Sequence, residues 1–333
     1  MDSLVLAPFS SDGLDLLGKI GSVTYEPWTE SKVIHDPVQL GIRLAEEEFN
    51  ILIVEADFLF QELFEMATPL YFAALCRGAL NQVELDAASK HGITIVHTPG
   101  RNAQAVAELV IGEIFSLIRH IHSSYIYIRE GSWVSPIEPY EKFRGKEISS
   151  VKLGIIGLGN VGSKVALIAN KLGMEVFGYD PYLTTKTQKS SYIKFTDLNT
   201  LLNDCNIVTL HVSETSETHH LIKMKELSLL GSEGYLINVS SPNTVSDDDL
   251  FKALSGGIIA GAAIDIHESH PIPKSSKYLH LKNVLLTPHI GGASVETIDR
   301  YSAMVINDLN SFCKGEMPKH IANPEVWPTR RSK

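Results

Sequence analysis

The chain has 333 residues, enough for two domains, and its 44% apolar and 20% charged content is that of an ordinary globular protein. Its formal charge of −10 repels polyanions on average, which argues against a nucleic-acid backbone or an anionic membrane as partner. The three cysteines, Cys76, Cys205 and Cys313, form no CxxC pair or disulfide framework, so a reduced, cytoplasmic setting is expected.

The start, MDSLVLAPF, lacks the basic n-region and long apolar core of a signal peptide, and no apolar run reaches the length of a membrane span. Strand-like runs are predicted at residues 4–6, 51–54, 71–75 and 93–97, separated by helical patterns. The acidic run at 46–48 reads as a solvated helical face. After the turn signal Thr98-Pro99-Gly100, residues 103–128 read as one long helix with Val106, Leu109, Val110, Ile114, Leu117, Ile118 and Ile121 on its apolar side. A helix of that length is a natural bridge between two lobes.

The next stretch, KLGIIGLGNVGSKVALIANKLGMEVFGYD, carries the most chemistry. A buried strand at 153–156 runs into Gly157-Leu158-Gly159-Asn160-Val161-Gly162, a helix starts at once, and a second strand at 176–179 delivers Asp180. Gly157 permits a tight turn, Gly159 lets a pyrophosphate approach the backbone, and Gly162 lets helix and strand pack closely. The unpaired N–H groups of the helix N-terminus suit the phosphates. Asp180, eighteen residues after the last glycine, is placed to accept from both ribose hydroxyls and to repel a 2′-phosphate, which points to NAD.

Further strands are predicted at 207–212, 235–239, 259–265 and 284–287. Between them, His219-His220 reads as the opening of a solvated helix, and Asp247-Asp248-Asp249 fits a helix's first turn, where carboxylates favour the dipole. A final helix from about 295 to 314 is expected to return to the first lobe, and the tail PTRRSK to fray. The expected architecture is α/β: two Rossmann-like, doubly wound domains with parallel sheets and an interdomain cleft. Residues 1–102 plus 290–333 form a discontinuous substrate (catalytic) domain, and 103–289 the NAD-binding domain.

Several separate segments, in order, resemble the D-isomer-specific 2-hydroxyacid dehydrogenases, a family that includes phosphoglycerate, glycerate, D-lactate and formate dehydrogenases. They are Cys76-Arg77-Gly78, Thr98-Pro99-Gly100-Arg101-Asn102-Ala103 with Val106-Ala107-Glu108, Phe143-Arg144-Gly145, the glycine fingerprint and Tyr179-Asp180-Pro181-Tyr182. Leu210-His211-Val212, Leu236-Ile237-Asn238-Val239, Gly261-Ala262-Ala263-Ile264-Asp265 and Thr287-Pro288-His289-Ile290-Gly291-Gly292 follow. The resemblance implies an oxidoreductase acting on a small-molecule substrate. It also implies a homodimer joined through the cofactor domains, with residues 123–146 as the arm that embraces the partner.

The resemblance assigns His289 as the histidine that moves the hydroxyl proton, a role suited to an imidazole, whose ordinary pKa is about 6.5. Asp265 matches the aspartate that contacts the nicotinamide amide. Arg77, Gly78 and Ala79 match the loop that holds the substrate carboxylate. Asn160, Val161, Pro181, His211, Val212, Val239, Ser240 and Gly291 fall at cofactor-lining positions. Two catalytic positions depart from the family pattern. Ser241 stands where an arginine clamps the substrate's carboxylate and polarises its carbonyl, and His270 stands where a glutamate holds the histidine. The proline after Leu-His-x is Ser213.

A hydroxyl in place of a guanidinium removes both the charge and the fork that bind a carboxylate. A cationic His270 would disfavour protonation of His289. Glu268 is a candidate replacement for the missing glutamate, although its side chain could equally point to solvent. Three readings therefore stand open. The first is an enzyme with an atypical site, using His289, Ser241 and His270. The second is a catalytically decayed NAD(H)-binding sensor or co-regulator. The third is a metal site built from His267, Glu268, His270 and His289, which the strand-like spacing disfavours, so no metal is expected.

Overall fold

The structure is a computed structural model that describes residues 1–183 and 190–332. It divides into two compact units, one formed by Met1–Arg101 with Ser294–Lys333 and the other by Asn102–Ala293.

In the first unit, β1 (Ser3–Val5), β2 (Val23–Tyr25), β3 (Ile51–Val54), β4 (Phe72–Leu75) and β5 (Thr94–His97) form a parallel sheet in the order β2-β1-β3-β4-β5. The runs ILIV and FAAL are apolar without alternation because both faces of the sheet are covered. Leu52 and Val54 enter one core with Leu63 and Phe64, while Ile51 and Ile53 enter the other with Val305 and Leu309. The last two lie on the helix Val295–Cys313, whose Ser294 N-cap accepts from the Thr297 N–H at 3.2 Å. Tyr301, Val305, Leu309 and Phe312 recur at helical spacing along its buried stripe. The C-terminal segment thus completes the core begun by the first hundred residues.

The second unit holds β6 (Lys152–Ile156), β7 (Glu175–Tyr179), β8 (Ile193–Phe195), β9 (Ile207–Leu210), β10 (Tyr235–Asn238), β11 (Gly261–Ile264) and β12 (Val284–Leu286). They form one parallel sheet in the order β12-β11-β10-β9-β6-β7-β8. Strand order reverses between β6 and β9, where open α/β sheets bind their ligands beyond the carboxyl ends of the strands. Every predicted site residue of this unit follows one of those ends.

Several sequence expectations are corrected. The long helix is two, Ala103–Ile118 and Ile121–Arg129, broken at His120 with φ 55°. No proline or glycine marks the break. It is made by a remote segment: the Lys146 N–H donates to the Ile118 carbonyl at 3.1 Å, and a Cβ on Gly145 would fall 2.0 Å from that oxygen. The three-residue strands β2 and β8 were not legible, since each is partly exposed at a sheet edge. No helix opens at His219-His220; that stretch is a turn, and the next helix is Met224–Leu230. Glu46 ends the helix Pro37–Glu46, and Glu47 and Glu48 lie past it. The tail is anchored: Arg330 stacks on Trp327, and the Arg331 guanidinium donates to the Thr68 carbonyl at 2.8 Å.

Candidate active site

The glycine loop between β6 and the helix Asn160–Lys171 has the geometry its sequence requires. Gly157 sits at φ +88°, and a Cβ there would lie 2.7 Å from the His211 carbonyl. A Cβ on Gly162 would fall 2.0 Å from the Gly157 carbonyl, so only glycine lets the helix seat against the strand end. Among the described residues, no atom lies within 4 Å of a Cβ built on Gly159, the helix N-cap. The loop is tight where the chain packs on itself and open where a phosphate would approach. Asn160 and Val161 form the first turn behind it.

Asp180 follows β7, and its carboxylate accepts from the Leu158 N–H at 2.9 Å and the Tyr182 N–H at 3.0 Å. It therefore braces the glycine loop at the position expected to read the ribose, and Pro181 is exposed beside it. These residues fit a dinucleotide: open backbone donors at a helix N-terminus, with an anchored acid at the neighbouring strand end.

His211 follows β9; its Nε2 is 3.0 Å from the Thr209 hydroxyl, and burial pushes its pKa down to about 3. It is therefore a neutral imidazole, with Val212 half-buried beside it. After β10, the Asn238 side chain ties the next loop, accepting from the Ser240 N–H at 3.1 Å and donating to the Ser241 carbonyl at 2.8 Å. Val239 and Ser240 are half-buried within this loop. Ser241, 9% exposed, donates its hydroxyl to Glu214 at 2.7 Å. Asn243 donates to the other Glu214 oxygen at 2.8 Å, and His219 lies 3.8 Å from the carboxylate. The Ser241 and Asn243 hydrogen bonds hold the Glu214 carboxyl below its ordinary range. Sequence reasoning missed Glu214, because a glutamate in a Ser/Thr-rich loop gives no signal beyond solvation.

Asp265, after β11, is 2% exposed and spends both oxygens on the loop that carries His289. Its Oδ1 accepts from the Thr287 hydroxyl at 2.6 Å and the Ile290 N–H at 2.8 Å; its Oδ2 accepts from the Gly291 N–H at 2.8 Å. A Cβ on Gly291 would press to 2.9 Å from Oδ2. His267 adds a bond to the Thr287 carbonyl at 2.9 Å. Within this frame His289 adopts φ 55°, an uncommon conformation for a non-glycine residue, which persists because its neighbours are fixed.

The His289 Nδ1 meets the His270 Nε2 at 3.1 Å. One ring must donate and the other accept, so the hydrogen bond exists with one proton shared between the two facing nitrogens. Glu268 is exposed, whereas His270 is hydrogen-bonded to the His289 ring. Among the described residues, no group of three or more His, Cys, Asp or Glu side chains could hold a metal ion.

In the first unit, Arg77, Gly78 and Ala79 follow β4. Gly78 and Ala79 are exposed, and the loop is held by the Thr98 N–H donating to the Arg77 carbonyl at 2.9 Å. The Arg77 guanidinium donates to Gln82 at 2.9 Å.

Residues 111–291 match the family model described as D-isomer specific 2-hydroxyacid dehydrogenase, NAD binding domain. The chain belongs to the D-isomer-specific 2-hydroxyacid dehydrogenase family. The Bacillus subtilis protein YoaD is 34% identical over 96% of this chain and 93% of its own length. A glyoxylate reductase of Thermofilum pendens is 33% identical over 87% of this chain and 85% of its own. Among solved structures, the TT0316 protein of Thermus thermophilus superposes with a TM-score of 0.82 at 27% identity, over 97% of this chain and 100% of that one. The protein is an NAD-dependent, dehydrogenase-like oxidoreductase, and its cofactor is NAD. Among the described residues, no helix is long and apolar enough to cross a membrane.

Proposed function

We propose that this protein transfers hydride between NAD(H) and a small 2-hydroxy or 2-oxo acid or related carbonyl compound, through an active site of altered composition. The observation that carries the reading is the His289 turn. Asp265 holds the turn at three points, and the ring it presents is hydrogen-bonded through Nδ1 to a second imidazole. Such an arrangement fixes one tautomer at a time and keeps a proton available for exchange. NAD supplies the hydride acceptor or donor when bound. Gly157, Gly159, Asn160, Val161 and Gly162 would seat its pyrophosphate, and Asp180 its ribose. Pro181, His211, Val212, Val239, Ser240 and Gly291 would line the remaining surface.

By the family resemblance, Ser241 and His270 stand where an arginine and a glutamate are expected. Loss of one charge-assisted contact at the reacting group removes about 2–4 kcal/mol of transition-state stabilisation. That cost, with Glu214 in contact with Ser241, favours a second reading, a cofactor-binding sensor whose catalysis has decayed. The separating assay is NADH oxidation against a panel of 2-oxo acids, with NADH binding measured in parallel. Turnover abolished by His289→Ala supports the enzyme. Tight NADH binding without turnover, with activity gained in Ser241→Arg, supports the sensor.

Homodimerisation through the cofactor unit and a cytoplasmic setting belong to the same proposal. Tyr125, Ile128, Trp133, Val134, Ile137 and Tyr140 are exposed along the expected arm, a surface that a second copy would cover. Cys76, Cys205 and Cys313 are free thiols, as a reducing compartment would leave them.

A further inference from the structure

A carbonyl needs an external cation to polarise it before it accepts hydride; a carbon–nitrogen double bond that is already protonated does not. What such an iminium needs is a nearby anion, because its own positive charge must be held in place. At position 241, where the family resemblance places a polarising cation, this chain supplies a hydroxyl that donates to Glu214 at 2.7 Å. Asn243 holds the other carboxylate oxygen at 2.8 Å. Both donors are neutral, so they fix the carboxylate's position and leave its charge uncancelled. Among the described residues no lysine or arginine pairs with Glu214; its single charged-type neighbour is His219 at 3.8 Å. The carboxylate is also partly open, at 41% side-chain exposure, so a ligand can reach it. The sign of this pole is therefore opposite to the one a carbonyl oxygen would select.

We infer that the reacting group is an iminium, formed by condensation of a small 2-oxo acid with ammonia or a primary amine, and that Glu214 is its counter-anion. The inference rests on the proposed hydride-transfer function and names its substrate class. In the reaction, hydride from the reduced nicotinamide forms the new C–H bond at the iminium carbon. The C=N π pair becomes the nitrogen lone pair, the substrate gains two electrons and the nicotinamide loses two. The amine product then takes one proton from the His289–His270 pair. In the reverse direction an amino acid gives up hydride and a proton. Glu214 stays ionised throughout and acts by charge, while Ser241 and Asn243 act as positioning residues.

The test follows NADH oxidation with glyoxylate or pyruvate, in the presence and absence of ammonium chloride or methylamine. Calorimetry separately compares glycine with glycolate as ligands of the NAD⁺-loaded protein. The expected result is turnover that requires the amine, a preference for glycine over glycolate, and loss of both in Glu214→Gln, with kcat/KM falling about 100-fold. NADH affinity should be unchanged in that variant, which shows that it has folded. Reduction of the 2-oxo acid that ignores the amine and survives Glu214→Gln would overturn the iminium assignment and leave the hydride-transfer reading intact. Intact NADH binding with no turnover in any arm, and no preference for glycine, would count against both.

Discussion

Glu113 offers a quantitative test of how the cofactor unit is built. It lies on the helix Ala103–Ile118, is 2% exposed, and neither carboxylate oxygen has a hydrogen-bond partner. Its neighbours Val110, Ile114 and Leu117 belong to the core beneath β6 and β11, and the negative charge of Asp265 acts on it. Burial first, and Asp265 second, push its pKa from 4.5 up to about 8. The folded state therefore binds a proton that the unfolded chain releases. Its contribution is fully present below pH 4.5 and is lost as pH rises towards 8, at about 1.4 kcal/mol per unit. Keeping that proton at pH 7 costs about 3 kcal/mol. Glu113→Gln mimics the protonated form without the titration. The variant should match the wild type near pH 4.5 and exceed it progressively at higher pH. Denaturant-dependent hydrogen exchange on β10 and β11 reports this unit separately. A stability difference between wild type and variant that stays constant from pH 5 to pH 8 would refute the reasoning.

The remaining predictions address other joints of the same site. His211, held neutral by burial with a pKa of about 3, contributes stability that is present above pH 6.5 and falls as pH drops towards 3. His211→Asn should flatten that acid limb, as measured by unfolding at several pH values. Gly159→Ala should leave the fold within about 1 kcal/mol of wild type yet weaken NAD binding at least about tenfold, because it fills the phosphate's space. Gly162→Ala should instead lose more than about 2 kcal/mol of stability, because its methyl group meets the Gly157 carbonyl; thermal melts and NAD titrations of the pair separate the two roles. Asp265→Asn offers one acceptor oxygen where three donors converge, so it should cost about 2–4 kcal/mol locally and release the His289 turn, visible as faster exchange of the Ile290 and Gly291 amides.

Much of this architecture was legible because its signals are local. The runs ILIV and KLGII declare strands covered on both faces, and the glycine fingerprint declares a strand, a turn and a helix within a dozen residues. The family motifs pointed to His289, Asp265, Ser241 and His270, but not to the clamps that organise them. Asp265 binds residues more than twenty positions away, and Glu214 meets Ser241 across twenty-seven. Neither contact leaves a trace in spacing. The break at His120 has the same origin, since the Lys146 N–H that caps the helix comes from a separate segment. Edge strands such as β8 were missed because a three-residue strand with no buried position resembles a loop.

The central claim is that this chain moves hydride and that His289 handles the accompanying proton. NADH carrying deuterium at the transferring position of its nicotinamide C4 tests it most directly, with mass spectrometry of the products formed by wild type and by His289→Ala. The account predicts one deuterium on the reduced carbon of the wild-type product and no labelled product from the variant, both proteins binding NADH equally. Labelled product formed equally well by His289→Ala, or tightly bound NADH that never loses its deuterium, would contradict it.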